Sequence, residues 1–182
     1  MEGDHSRSIP VSGIGSHSTS RDNNGTLSIL YFNARSLVPK LDELSAVIEA
    51  HNPDIVSIVE SWLCADISDS ELHIPGYQIF RKDRHRHGGG VLLYIKSNFT
   101  VTVLPSHQTN LEILPIVIHL SNISFCITVF YRPPDTSSYS FDILFSFLAS
   151  LYIHQFSNFV LIGDFNVNMK IHLIPCIIRF VV

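Results

Sequence analysis

The sequence has few cysteines and few charged residues, and its apolar runs are short. Its three cysteines, Cys64, Cys126 and Cys176, are scattered along the chain. That spacing excludes the closely paired cysteines of a zinc site or a secreted disulfide framework, and it fits a reducing, intracellular setting. The apolar tail at residues 171–182 is interrupted by proline, arginine and histidine and is far shorter than the roughly 20 residues that span a bilayer. We therefore expect no membrane anchor there.

An excess of positive charge is also missing. The 182 residues carry a formal net charge of -4, and 15% of them are charged. This excludes a globally basic nucleic-acid binder, although a local basic patch remains compatible with it. Because 46% of the residues are hydrophobic, the chain can bury one core, and one domain is expected. Residues 1–25 lack the apolar segment of a secretory signal and are predicted to be a disordered lead-in.

Apolar periodicity predicts an alternation of strands and helices. Strands are predicted at residues 27–32, 55–59, 77–80, 91–95, 99–104, 111–120, 123–130 and 159–162. Amphipathic helices are predicted at 41–48 and 141–152, and a hairpin turn at Ser121-Asn122. This order of elements predicts an α+β fold of stacked sheets with helices outside.

Polar residues that carry oxygen follow several of the predicted strands. Asn33, Glu60, Asp164 and Asn166 each lie just past an apolar run, and groups at strand ends often converge into a binding site. Such hard oxygen ligands suit Mg²⁺, which takes one or two carboxylates and binds substrate phosphate, whereas zinc prefers His and Cys. The implied chemistry is hydrolysis of a phosphate ester.

Each of these residues also has an ordinary interpretation when it is considered singly. The Gly-Asp-Phe-Asn segment that ends at Asn166 has the composition of a turn. Glu60 could be an exposed strand-end carboxylate, Asn33 a cap for the following turn, and Tyr131 an aromatic at the core edge. The residues alone leave both interpretations open.

Six short motifs occur in an order that resembles the endonuclease/exonuclease/phosphatase superfamily. They are Asn33-Ala34-Arg35-Ser36, Val59-Glu60-Ser61-Trp62-Leu63, Ile74-Pro75-Gly76-Tyr77, the run from Arg84 to Val91, Tyr131-Arg132-Pro133-Pro134 and Gly163-Asp164-Phe165-Asn166. Within that superfamily they are most similar to the endonuclease domain of non-LTR retrotransposon polyproteins. The resemblance covers residues 26–168 and implies a four-layered α/β sandwich.

The resemblance also implies a role for each matching residue. Glu60 would be the chief ligand of Mg²⁺, or of Mn²⁺, with Asn33 beside it. Asp164 would orient or deprotonate the attacking water, and Asn166 would hold a phosphate oxygen. Tyr131 would hydrogen-bond the scissile group. These are positioning and charge-stabilising tasks.

Three arginines are candidates for contact with DNA phosphates. Arg35 stands where many superfamily members carry an acidic residue, so a second metal ligand from that strand is absent here. Arg84 and Arg86 belong to a basic stretch at residues 81–87, which could contact phosphates without reading DNA sequence. The alternative for this stretch is a solvated hairpin loop.

The end of the chain departs from the resemblance. The resemblance implies that the domain closes with further strands and a Ser-Asp-His motif. No Ser-Asp-His follows Asn168, and residues 169–182 are predicted to be a non-family apolar tail without those strands. We therefore expect a fold that lacks its last strands, with the tail covering part of the open edge.

Three functions remain open at this point. The first is a Mg²⁺-dependent endonuclease that nicks duplex DNA, in the nucleus if it acts on chromosomal DNA. The second is a truncated, catalytically dead remnant. The third is a phosphatase of the same superfamily that acts on phosphoinositides or similar phosphoesters. No protein partner can be inferred.

Overall fold

The computed structural model describes residues 26–85, 87–106, 110–121, 123–151, 156 and 158–167, and the backbone of 176–181. The predicted lead-in at residues 1–25 and the candidate Arg86 lie outside the described residues. The described strands are β1 Thr26–Asn33, β2 Ile55–Val59, β3 Tyr77–Lys82, β4 Val91–Lys96, β5 Thr100–Val103, β6 Glu112–His119, β7 Ser124–Tyr131, β8 Asn158–Asp164 and β9 Cys176–Val181. The helices are α1 Leu41–His51 and α2 Tyr139–Ser150, with a short 3-10 helix at Val38–Lys40.

These strands form two mixed sheets. The first has the order β3-β4-β2-β1-β9 and the second the order β5-β6-β7-β8. Each sheet contains one parallel pair, β1 with β2 and β7 with β8, and each pair is connected through a helix. Because parallel strands end at the same edge of a sheet, each pair delivers two strand ends together.

The sheets stack with the helices outside. Residues such as Ile29, Leu93 and Ile127 form a continuous apolar cluster between the two sheets. A second cluster joins Leu44 and Ile48 of α1 to the outer face of the first sheet. A third joins α2 to the outer face of the second sheet around the buried ring of Phe130. The predicted α+β arrangement of stacked sheets with outer helices is confirmed.

Local sequence explains the limits of α1. Leu44 and Ile48 are spaced four residues apart and are both buried on the sheet, as a helical period requires. Asp42 lies in the first turn, where a negative charge favours the helix dipole. The helix ends at His51. The following residue, Asn52, caps it in a left-handed conformation with φ 44°, and Pro53 prevents its continuation.

The structure differs from the predicted elements in three places. Strand β3 continues through Lys82, so the first two residues of the basic stretch belong to a strand and not to a loop. Helix α2 begins at Tyr139, two residues before the predicted start, while Tyr152 lies outside the described residues. The unpredicted strand β9 pairs antiparallel with β1, so this part of the tail lies at an edge of the first sheet. Neither described helix has the length and apolar character needed to cross a bilayer.

Candidate active site at the ends of the parallel strands

Four polar side chains meet where the two parallel pairs end. Asn33 is the last residue of β1, and Glu60 follows β2 directly. Tyr131 ends β7 and stands opposite Asp164, which ends β8. Since both sheets present these ends on the same side, the site lies across the junction of the two sheets.

The amide of Asn33 connects the two carboxylates. Its Nδ2 donates to Glu60 Oε1 at 2.7 Å and to Asp164 Oδ2 at 3.3 Å. Its Oδ1 accepts a hydrogen bond from the backbone N–H of Arg35 at 3.1 Å, and this bond fixes the amide orientation. Because both oxygens accept from one nitrogen, they are no further apart than the sum of those two distances. Within the described residues, neither carboxylate forms a salt bridge with lysine or arginine.

Tyr131 is buried beside this pair, with 6% of its surface exposed. Burial, the charges of Glu60, Glu112 and Asp164, and a hydrogen bond from the hydroxyl to Glu60 raise the pKa of Tyr131 to about 12. A phenol with this pKa stays protonated at neutral pH. Tyr131 therefore serves as a neutral hydrogen-bond donor.

Asn166 completes a tight turn after β8. Its backbone N–H donates to Asp164 Oδ1 at 3.0 Å, and its Nδ2 donates to the carbonyl of Arg132 at 2.6 Å. Asn166 and Glu60 both adopt left-handed backbone conformations, with φ 43° and φ 52°. Non-glycine residues in this region are strained and are commonly found at functional sites.

Two glycines let the β3–β4 connection pass close to the site. A Cβ on Gly89 would lie 2.3 Å from Glu112 Oε2, and a Cβ on Gly90 would lie 2.5 Å from Ser61 Oγ. The carbonyls of these glycines accept from the backbone N–H groups of Trp62 and Ser61 at 3.0 and 3.3 Å. The run of glycines thus allows this connection to pack against the segment that follows β2.

Glu112 is a site residue that sequence reasoning missed. Its carboxylate accepts from the backbone N–H of Gly90 and pairs with Arg84 at 2.9 Å. Burial raises the pKa of Glu112, while the bonds from Gly90 and Arg84 act in the opposite direction. One signal could have found it: the predicted hairpin turn at 121–122 places Glu112 opposite Tyr131, which is the observed register.

The predicted DNA contacts have different surroundings. Arg35 is exposed at the rim of the site and has φ 43°. Arg84 is bound to Glu112, and 41% of its side chain remains exposed. Together with Lys82, Arg84 lines a cleft of about 460 Å³ beside Tyr131. Arg84 therefore lies near the site and forms an ion pair with Glu112.

The donor set at the strand ends fits a hard divalent cation. Among the described residues there is no group of three or more His, Cys, Asp or Glu placed to hold a metal, so the all-protein ligand set of a zinc site is not found there. Two neighbouring carboxylates and amide groups match Mg²⁺, which binds one or two carboxylates and keeps several waters. In this structure the side-chain nitrogen of Asn33 faces the carboxylates, and its oxygen faces the backbone N–H of Arg35.

The fold and the site together define a class of layered α+β proteins with an acidic site at the ends of two parallel strand pairs. The profile of the Endonuclease/Exonuclease/phosphatase family matches residues 29–170. The chain belongs to this family. No match was found among curated protein sequences.

Solved structures share the fold at low sequence identity. The endonuclease domain of TRAS1, a telomere-specific non-LTR retrotransposon, is 16% identical with a TM-score of 0.61, over 79% of this chain and 61% of that one. The 3′ phosphatase NExo from Neisseria, bound to a product DNA hairpin, is 18% identical with a TM-score of 0.58, over 78% and 58%. TDP2 from D. rerio, in complex with a single-strand DNA product, is 15% identical with a TM-score of 0.58, over 79% and 62%. This chain thus spans about three fifths of the length of each.

Proposed function

We propose that this chain is a Mg²⁺-dependent DNA endonuclease of the retrotransposon type, which hydrolyses one phosphodiester of duplex DNA and leaves a nick. The observation that carries the proposal is the amide of Asn33, which holds Glu60 and Asp164 together across the two sheets. Family membership supports phosphoester hydrolysis. The motifs and the likeness to the TRAS1 endonuclease domain support DNA as the substrate, which would place the protein in the nucleus.

Glu60 is the residue that would hold the metal ion, Mg²⁺ or Mn²⁺. Asn33 would join it through Oδ1, which in this structure accepts from the backbone N–H of Arg35. Glu60 offers a carboxylate whose nearest polar partners are donors, Asn33 and Tyr131, and no cation neutralises it within the described residues. When bound, a divalent cation would stabilise the negative charge that develops on the scissile phosphate.

Asp164 would orient the attacking water or accept its proton. The N–H of Asn166 holds Asp164 Oδ1 at 3.0 Å, while Oδ2 has, among the described residues, only the longer contact of 3.3 Å to Asn33. One oxygen is thus anchored and the other remains available for water. The carboxylate orientation is set by groups from both sheets.

Tyr131 and Asn166 are the donors proposed for the phosphate. Tyr131 remains protonated because its pKa is raised to about 12. Its single proton is donated to Glu60 here and would turn to an oxygen of the scissile group when substrate binds. One N–H of the Asn166 side chain binds the Arg132 carbonyl. The second has no partner among the described residues and would bind a phosphate oxygen. Arg35 and Arg84 would position the DNA backbone from the rim. The same role is proposed for Arg86, which lies outside the described residues.

The test is nicking of supercoiled plasmid in Mg²⁺ by the wild type, Glu60→Gln and Asp164→Asn. Glu49→Gln, an exposed carboxylate on α1, is the matched control. We expect relaxed circles from the wild type and Glu49→Gln, and none with EDTA. In the two site variants the nicking rate should be lower by at least about 100-fold. Nicking that persists in both site variants would contradict the proposal.

A second substrate separates the remaining functions. The same samples are given a soluble inositol phosphate and assayed for released phosphate. Faster turnover of this substrate than of plasmid, with dependence on Glu60, would mean a phosphatase. No turnover of either substrate by a folded sample would mean a remnant that no longer cleaves.

A further inference from the structure

Arg132 is a buried cation between the turn at residues 164–166 and helix α2. Only 8% of its surface is exposed, although arginine is rarely buried to this extent. It belongs to the motif Tyr131-Arg132-Pro133-Pro134, and none of the steps proposed above uses its side chain. A buried guanidinium needs several acceptors to offset the loss of water.

The guanidinium group donates hydrogen bonds to two separate segments, residues 165–166 and residues 136–140. Nη1 donates to the carbonyls of Asn166 at 3.0 Å and Phe165 at 3.4 Å. Nε donates to Ser140 Oγ at 2.9 Å, and Nη2 donates to the carbonyl of Thr136. The planar fork of arginine is suited to several acceptors in fixed directions.

The backbone of Arg132 holds the same turn. Its N–H donates to the carbonyl of Asp164 at 2.9 Å, and its carbonyl accepts from Asn166 Nδ2 at 2.6 Å. Asn166 has φ 43°, a conformation that costs energy and persists when surrounding contacts enforce it. Main chain and side chain of Arg132 together provide these contacts.

Helix α2 gives this arrangement a rigid support. Ser140 lies in the first turn of α2, and the ring of Phe141 lies 5.0 Å from the guanidinium carbon of Arg132. Ser140 is itself buried, and α2 packs on the second sheet through Leu144 and Leu148. Arg132 therefore connects the turn at residues 164–166 to an element that is fixed by the core.

We propose that Arg132 is a positioning residue for the phosphodiester hydrolysis: it locks the turn at residues 164–166 against α2, so that Asp164 and Asn166 are held in place before substrate binds. The effect on catalysis rests on the proposed function, whereas the locking of the turn does not. A lysine keeps the charge but has one ammonium group, which cannot serve both segments at once.

The experiment compares Arg132→Lys with Arg81→Lys. Arg81 is a suitable control because it is also largely buried, with 17% of its side chain exposed, and its partners are Ile67, Asp69 and Asp83. Amide hydrogen exchange of Asn166 is measured by NMR against that of Ile127, in the middle of β7. We expect exchange at Asn166 to be roughly 10-fold faster in Arg132→Lys and unchanged at Ile127. Arg81→Lys should leave Asn166 unchanged.

Nicking kinetics give the second readout. We expect kcat of Arg132→Lys to fall by about 10- to 100-fold, as when a supporting residue behind an active site is removed, with KM for DNA unchanged. Unaltered exchange at Asn166 in folded Arg132→Lys would overturn the proposal, and so would an equal increase at Ile127, which means general destabilisation.

Two further outcomes keep the test decisive. If the wild type does not nick but Asn166 exchange rises selectively, the locking role stands and only the proposed function fails. If Arg132→Lys does not fold, Ser140→Ala removes one acceptor alone, and a selective but smaller increase at Asn166 is expected. No increase there would overturn the proposal.

Discussion

At the scale of single residues, Asn33 shows that a turn and a site can be made by one side chain. Its Oδ1 accepts from the backbone N–H of Arg35. This is the contact of an ordinary turn residue, which is one of the two interpretations that the sequence leaves open for Asn33. Its Nδ2 donates to Glu60 and Asp164. These contacts correspond to the other interpretation, in which polar residues at the strand ends converge into a site. The two interpretations are therefore compatible, because the two ends of the amide serve different partners.

Tyr131→Phe should lower nicking with little change in fold. The phenylalanine keeps the packing of Tyr131 and removes the donor to Glu60, and loss of one such donor typically costs about 100-fold in kcat. Tyr94→Phe is the control, because the Tyr94 hydroxyl donates to the Leu72 carbonyl at 2.7 Å in the core. That variant should lose roughly 1–3 kcal/mol of stability and keep its kcat.

The pH profile gives a further check on Tyr131. Since the pKa of Tyr131 is raised to about 12, its ionisation should not produce an alkaline limb in the nicking rate between pH 7 and roughly 10. An alkaline limb in that range that disappears in Tyr131→Phe would show that the phenol ionises there, contrary to this expectation.

Glu112→Gln should be tolerated at neutral pH and should change the pH dependence of stability. Burial raises the folded-state pKa of Glu112, so its protonated form favours folding. That stability is fully present below the unfolded pKa and is lost as the pH rises through the folded pKa. Glutamine keeps an acceptor for Gly90 without the charge. We therefore expect Tm of Glu112→Gln to equal or exceed that of the wild type at pH 8.

Thermal melts between pH 4 and 8 test this reasoning. The advantage of Glu112→Gln should shrink as the pH falls and Glu112 of the wild type becomes protonated. Arg84→Gln is the companion variant, since it removes only the ion pair, which is half exposed on the arginine side. A Tm of Glu112→Gln well below the wild type at pH 8 would mean that the pair with Arg84 outweighs the cost of burial.

The sequence alone predicted that the residues following the strands would lie together, but it did not predict the contacts of the residues that support them. Asn33, Glu60 and Asp164 stand at the ends of apolar runs, so a local pattern identifies them. Glu112 and Arg132 act through contacts with Gly90 and Asn166, which are distant in sequence. No local pattern specifies such partners, although the hairpin register alone would have placed Glu112 opposite Tyr131.

At the scale of elements, the strands β1 to β8 were predicted because each has its own apolar period. The parallel pairing of β1 with β2 and of β7 with β8 follows from the helix between them. Strand β9 was missed because its pairing with β1 joins segments at opposite ends of the chain. The short 3-10 helix at Val38–Lys40 was missed because three residues carry no period.

Gly163→Ala should separate β7 from β8. Gly163 has φ 156°, and an added Cβ would lie 1.7 Å from the carbonyl oxygen of Phe130 in the paired strand. The added Cβ is attached directly to the backbone, and the Phe130 oxygen belongs to it, so neither atom can turn away. The strands must therefore move apart, which should lower the free energy of unfolding by about 3 kcal/mol. The displacement would also shift Asp164, the next residue.

Gly76→Ala is the control for backbone conformation. Gly76 has φ 83°, yet nothing lies within 4 Å of its added Cβ, so only the left-handed strain of roughly 1–2 kcal/mol is expected. Denaturant unfolding and nicking are measured for both variants. If both lose the same stability, the close approach of Gly163 to Phe130 is not what requires glycine.

At the scale of the whole molecule, the core places two negative charges together. The apolar cluster between the sheets fixes the distance between β1, β2 and β8, and so Glu60 and Asp164 cannot separate to reduce their repulsion. A site of this kind is built at some cost in stability and is relieved by a cation. Metal binding and global stability should therefore be coupled.

Mg²⁺ should raise the Tm of the wild type and not that of Glu60→Gln. At a concentration of about ten times Kd, binding to the folded state alone contributes roughly 1.4 kcal/mol, or about 3–5 °C for a domain of this size. Glutamine can still accept from Asn33 and Tyr131, so the metal-free variant should melt no lower than the wild type. Glu49→Gln should respond to Mg²⁺ as the wild type does, and EDTA should reverse the shift. An equal shift in Glu60→Gln would place the cation elsewhere on the molecule, and the junction of the two sheets would then hold its carboxylates without metal.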